Sequence, residues 1–240
     1  PLLKEIYASV LRAGGYPMMM ASLPGIEEVF YRYASDEQIK HLPKPLEMIM
    51  ETYDVRISVL AETNTKALSN VDPGKLVMGQ QARTELMRTF MRRSATGELR
   101  WVVGPFPTNA FAQEAEMSLG EYENFVYGAC LPDMTDPIGY WQKFSARQQR
   151  IADWLKGKTK VVIKGENTNL QLSIAGRNFI NCDGHHNMPD GEVFTGPVED
   201  SVEGQVHFTY PAIYGGREVT GVKLWFEKGK VVKANADKNE

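Results

Sequence analysis

The pattern of this sequence changes at Gly157, and that change constrains the fold more than any other feature. Before it, apolar runs of strand length alternate with amphipathic runs of helical period; after it, short β-prone runs alternate with glycine-rich turns. Strand–helix alternation is how a parallel sheet is written, because a parallel pair needs a long crossover, usually a helix. The sequence therefore predicts an α/β fold. A Rossmann-like, parallel-sheet N-terminal domain with a connecting helix is expected over residues 1–157, and the start of a β-rich domain over 158–240.

The individual elements follow from local signals. An apolar stripe (Leu2, Leu3, Ile6, Tyr7, Val10, Leu11) reads as a helix stopped at Ala13-Gly14-Gly15. Tyr16 to Ser22 then reads as a buried strand. Short helices are expected at Ile26–Ala34, Glu37–His41 and Pro43–Thr52, a second strand at Asp54–Ala61, and one amphipathic helix over Gln80–Ser94. A third strand, Leu99–Val103, ends at Gly104-Pro105. Ser118 and Glu121 have the spacing of a capping box for a helix to Ala129. Asp136-Pro137 opens a longer helix to Lys156, whose stripe of Tyr140, Trp141, Phe144, Ile151, Trp154 and Leu155 reads as core packing. Beyond Gly157, strands are expected at Lys160–Ile163, Leu170–Ile174, Phe179-Ile180, Val206–Tyr210, Val219–Phe226 and Lys230–Lys233. Lys228-Gly229 should close a hairpin between the last two.

Composition excludes several classes. A net charge of −3 gives no basic face for nucleic acid. No apolar run approaches the roughly 20 residues of a membrane helix. The two cysteines, Cys130 and Cys182, have neither disulfide-framework nor zinc-knuckle spacing; they read as buried free thiols of a cytoplasmic protein. There is no Gly-x-Gly-x-x-Gly and no Walker loop, and Gly14-Gly15 follows a helix rather than a strand, so no dinucleotide site is read.

Asn187-Met188-Pro189-Asp190-Gly191-Glu192-Val193-Phe194-Thr195-Gly196-Pro197 combines turn chemistry with a carboxylate at the start of a strand. With Gly184 before it and Val198 to Gly204 after it, this run resembles the signature of the thermophilic aminopeptidase T family of metallopeptidases. Gly165 to Leu170 with Ala175-Gly176-Arg177 is similar to two further family segments, though Asn169 stands where the family usually has Asp. Gly221-Val222 through Phe226-Glu227 and Gly229 to Val232, and upstream Pro107-Thr108 to Met117-Ser118 with Glu121-Tyr122-Glu123, extend the resemblance over nearly the whole chain.

The resemblance implies a β-rich catalytic domain and an aminopeptidase that uses two divalent ions (zinc or cobalt, or else magnesium or manganese) and a metal-activated water on a peptide substrate. It implies a homodimer and assigns Glu192 as a metal ligand. The family's remaining ligands match nothing here and are expected beyond Glu240. The chain is thus expected to be an internal fragment, inactive alone, that also lacks the strand unit preceding the first helix. The alternative is a non-catalytic binding or dimerisation module that keeps the fold. A nucleotide- or sugar-binding domain is a weaker third reading, without a phosphate loop.

Other candidates read as structural. His185 and His186 are adjacent, so on an extended segment they point to opposite sides and do not serve one ion; a surface loop, or support behind a ligand for one of them, is expected. His41 is isolated, and alternation puts His207 on a polar strand face. Glu199, Asp200 and Glu203 lack calcium-loop spacing and read as a solvated loop. Asp183 and Asp190 read as turn formers.

Overall fold

The computed structural model describes residues 2–130, 135–214 and 217–239. The chain divides into two compact units, Pro1–Tyr127 and Gly128–Glu240.

The first unit begins with α1 (Leu2–Arg12), whose chain turns at Gly14 and Gly15, as the stop signal predicts. Residues 16–22 form no strand and pair with none among the described residues, which corrects the expected buried strand. Tyr16 is 94 % exposed, and Met18, Met19 and Met20 are 47–60 % exposed. An apolar run of strand length becomes a strand only where another strand satisfies its N–H and C=O groups, and the described residues supply none.

Three short helices follow: α2 (Ile26–Tyr33), α3 (Asp36–Lys40) and α4 (Lys44–Thr52). A capping box starts α3, with the Ser35 hydroxyl accepting from Gln38 N at 3.3 Å and Gln38 Oε1 accepting from Ser35 N at 2.8 Å. Next come β1 (Val55–Leu60), α5 (Pro73–Ala82), α6 (Thr84–Ala95) and β2 (Arg100–Pro105). β1 and β2 pair in parallel from Val55↔Arg100 to Leu60↔Pro105, with two helices in the crossover. This two-stranded sheet is the parallel element that the strand–helix alternation predicts.

The single helix expected over Gln80–Ser94 is two helices. The break falls at Arg83, whose N–H reaches back three residues to Gln80 O at 3.1 Å, the tighter closure typical of a helix end. α6 is tied to α4 by Arg93, only 6 % exposed. Its Nη1 donates to Met50 O at 2.8 Å and Tyr53 O at 2.9 Å, satisfying carbonyls at the C-terminal end of α4 with a positive charge. α7 (Asn109–Glu114) and α8 (Leu119–Cys130) complete the helical part. The Ser118–Glu121 box forms as expected, with Ser118 N donating to Glu121 Oε2 at 2.9 Å. The hydrogen bonds from Ser118 hold the Glu121 carboxyl below its ordinary range.

The second unit contains the long helix α9 (Pro137–Leu155), which starts where Asp136-Pro137 predicts; Asp136 Oδ1 caps Gly139 N at 2.8 Å. Nine short strands follow among the described residues: β3 (Lys160–Gly165), β4 (Thr168–Ser173), β5 (Ile180–Cys182), β6 (Glu192–Phe194), β7 (Glu203–Phe208), β8 (Ala212–Tyr214), β9 (Arg217–Val219), β10 (Val222–Glu227) and β11 (Lys230–Asn235). Five form an antiparallel sheet in the order β11-β10-β7-β4-β3. The β10–β11 turn is the expected one: Lys228 and Gly229 both have positive φ, 47° and 76°. β8–β9 and β5–β6 are separate two-stranded ladders.

Helix α9, grouped with the first domain in the sequence reading, packs here against β5 and β6 within the second unit. Its aromatic stripe is only partly core. Trp141 and Phe144 pack, but Ile151 is 47 % and Trp154 66 % exposed, with Lys158 lying 4.7 Å over the Trp154 ring. The buried positions of α9 are Gln148 and Ala152.

Candidate metal centre

Glu192 is the first residue of β6, directly opposite Cys182 of β5. The loop that delivers it is held by Asp190, the turn former expected from sequence: Oδ2 accepts from Gly184 N at 3.2 Å and Oδ1 from Gly191 N at 2.9 Å. The Met188–Pro189 peptide is cis. Gly191 has φ 143°, a conformation that L side chains rarely adopt, and a Cβ there would lie 3.3 Å from Phe144 Cζ. The Phe144 ring is itself fixed, stacked on Tyr140 with centroids 6.0 Å apart and edge-on to Trp141 at 5.4 Å. The loop thus presses its backbone onto the aromatic face of α9, and glycine permits the approach.

Below the loop lies a polar network that sequence reasoning missed. Gln148 of α9, 5 % exposed, directs Nε2 at Asn181 Oδ1 (2.8 Å), Cys182 O (2.9 Å) and Glu192 O (3.3 Å). Asn181 Nδ2 donates back to Ser145 O at 3.0 Å. Ser145 Oγ donates to Asp183 Oδ2 at 2.5 Å. The only sequence signal is polarity: Ser145, Gln148 and Gln149 interrupt the apolar stripe of α9 at helical spacing.

Asp183 is more than a turn former. Its Oδ1 lies 2.6 Å from His185 Nδ1, which makes the Nδ1–H tautomer of His185 the donor. Burial pushes the Asp183 carboxyl up, but the hydrogen bonds from Ser145 and His185 and the His185 charge outweigh it, and the group titrates below its ordinary range. The His185 side chain is 82 % exposed, so His185 sits in a surface loop leaning on a half-buried carboxylate. His186 is exposed as well. Cys182 is a buried free thiol; burial pushes its pKa up, and the carboxylates of Asp190, Glu192 and Asp183 add to the rise. Cys130, the second free thiol, is half-buried, and burial raises it too.

The remaining candidates fall elsewhere. His41 ends α3 on the surface. His207 corrects its expected placement: Phe208 beside it is 50 % exposed, whereas His207 Nδ1 is buried without a hydrogen-bond partner among the described residues. β7 shows no clean alternation: Gln205, Val206 and His207 are all half-buried, and Phe208, opposite Val222 at the strand's end, is exposed. Glu199 is an exposed loop residue paired with Arg177; a hydrogen bond from its own backbone N–H, then the hydrogen bond and charge of Arg177, hold the Glu199 carboxyl low. That pair brings the Gly176-Arg177 segment beside the loop following Glu192, as do Thr195 Oγ1 to Asn178 O at 2.7 Å and Val198 N to Ser173 O at 2.8 Å. Glu203 accepts from Lys228 N at 2.8 Å and braces the β10–β11 turn.

The donor set fits one ligand and no more. The Glu192 carboxylate is exposed and has no hydrogen bond or ion pair among the described residues, so its oxygens are open to a hard or borderline cation. Among the described residues no group of three or more His, Cys, Asp or Glu could hold a metal ion. A complete centre is not built from these residues.

The fold is a mixed α/β unit followed by a unit of one long helix and mainly antiparallel strands, and the whole-chain comparison identifies the class. Residues 1–240 match the model of the family described as thermophilic metalloprotease (M29), and the chain belongs to that family. Among individual relatives, aminopeptidase AmpS of Bacillus subtilis is 26 % identical over 201 residues, covering 77 % of this chain and 49 % of its own length. Aminopeptidase T of Thermus thermophilus is 25 % identical over 202 residues, covering 74 % of this chain and 48 % of its own length. The solved structure of wild-type AmpT from Thermus thermophilus shares the fold, with a TM-score of 0.77 at 21 % identity over 98 % of this chain and 63 % of that one. The chain spans about half the length of the curated relatives it matches. No helix among the described residues is long and apolar enough to cross a membrane.

Proposed function

We propose that this chain is the N-terminal α/β part and the first portion of the catalytic part of a metal-dependent aminopeptidase that releases N-terminal residues from peptides. The observation that carries the reading is the free Glu192 carboxylate, held on a braced strand within the segment that resembles the family signature. Family membership over residues 1–240 and relatives named aminopeptidases support it. In this reading Glu192 gives one oxygen ligand, and the other ligands come from outside the described residues. Two divalent ions, zinc or cobalt in the first instance, would supply Lewis-acid polarisation of the scissile carbonyl and an activated water. The chain's own residues do the positioning. Asp190 and Gly191 set the approach of the loop, and the α9 network fixes β5 against β6. A cytoplasmic homodimer completes the proposal, and the 240 residues alone are expected to be inactive.

The test is Glu192→Gln in the full-length enzyme. Metal affinity should fall by more than the roughly 10–100-fold that changes behind a ligand cost, and peptide turnover should fall with it. Chelation should abolish turnover of the unmodified enzyme, and added zinc or cobalt should restore it. Wild-type metal content and turnover in the Glu192→Gln enzyme would overturn the reading.

A further inference from the structure

We infer that Gln148 is a positioning residue for Glu192: its amide locks the register of β5 on β6 and so decides which face the Glu192 carboxylate presents. The inference rests on the reading of Glu192 as a metal ligand. Three observations carry it.

First, β5 and β6 are three residues each and form a ladder of their own, joined to no larger sheet among the described residues. A two-stranded ladder of that length is marginal in water and needs outside support. Because side chains alternate along a strand, a slip of one residue would turn Glu192 to the opposite face. Second, the support is polar. Gln148 is buried in mid-helix, where an apolar side chain would contribute more by burial. Its one –NH2 group reaches Cys182 O and Glu192 O, carbonyls belonging to the directly opposed pair of the ladder. An apolar contact tolerates sliding; one amide reading both carbonyls does not survive a one-residue slip, which turns a carbonyl away from it. Third, Asn181 closes the link, accepting from Gln148 and donating to Ser145 O. The helix therefore fixes both strands, while the Glu192 carboxylate is left free.

The experiment uses the full-length enzyme with Gln148→Met, which keeps length and removes the donors, and with Asn181→Ala as the milder second variant. Two readouts are taken. Hydrogen exchange of the amides of residues 180–182 and 192–194, without metal, should quicken in both variants. The Zn²⁺ dissociation constant, measured by competition with a chromogenic chelator, should weaken about 10–100-fold, and only where Glu192 is present. In a Glu192→Gln background the same variants should cause no further loss. Unchanged exchange overturns the register lock. An equal loss of Zn²⁺ affinity in both backgrounds overturns positioning through Glu192 and leaves a general structural role. If Glu192→Gln alone keeps wild-type Zn²⁺ affinity, the ligand reading fails, and exchange then judges the register lock by itself.

Discussion

Replacing Gly191 by alanine should destabilise the second unit far more than a single added methyl suggests. Two costs are visible in the geometry. The residue sits at φ 143°, where an L side chain is strained by about 1–3 kcal/mol. The new Cβ would also lie 3.3 Å from Phe144 Cζ, a ring that cannot swing away because Tyr140 stacks on it and Trp141 meets it edge-on. Overpacking against a fixed ring adds about 1 kcal/mol at the low end of its range. The sum is a loss of about 2–4 kcal/mol. Urea unfolding followed by tryptophan emission reads it, since Trp141, Trp154 and Trp225 all lie in the Gly128–Glu240 unit. Gly196→Ala is the matched control: five residues on, it has no atom within 4 Å of an added Cβ and no positive φ. Its effect should stay within about 1 kcal/mol. A Gly191→Ala loss below about 1 kcal/mol, or one equal to the control, would refute the claim that glycine is required for the loop to reach the helix.

Two further outcomes follow from the same kind of reasoning. Arg93→Met strips two charge-assisted hydrogen bonds from the end of α4 and should cost the first unit about 3 kcal/mol at the low end of about 1.5 kcal/mol each. Amide exchange at Leu99, whose N–H bonds Arg93 O at 3.1 Å, should speed up accordingly, and an effect under about 1 kcal/mol would contradict the assignment. Asp183→Asn should show a pH-dependent difference from wild type. The folded carboxyl lies below its ordinary value of 3.8, so the stability it contributes is fully present above that value and is lost as pH falls through the folded pKa. Urea midpoints of the two proteins should therefore converge only below pH 3.8; a gap independent of pH would show that the ionised form is not the one stabilised.

What could be read from the sequence was short-range. The Ser118–Glu121 box, the Asp136-Pro137 start and the Lys228-Gly229 turn each depend on residues within three or four positions, and each forms. The parallel pairing of β1 and β2 was legible because both runs are β-branched and bounded by breaks. Residues 16–22 show the limit: their apolarity matches a buried strand, but whether a partner strand lies beside them is not a local property. α7 is too short, at six residues, to display a period, although Thr108 caps it. At the candidate site, Glu192 was legible through its motif. Gln148 was not, because its acceptors lie 33, 34 and 44 residues away and its meaning depends on all three.

The Gln148 contacts also carry a historical consequence. Two of its three acceptors are main-chain carbonyls, which every amino acid supplies, so through those bonds residue 148 places no demand on the identity of residues 182 and 192. Asn181 alone meets it with a side chain. As such chains diverge, residues 148 and 181 should therefore change together, while residue 182 drifts to any small buried side chain without disturbing either.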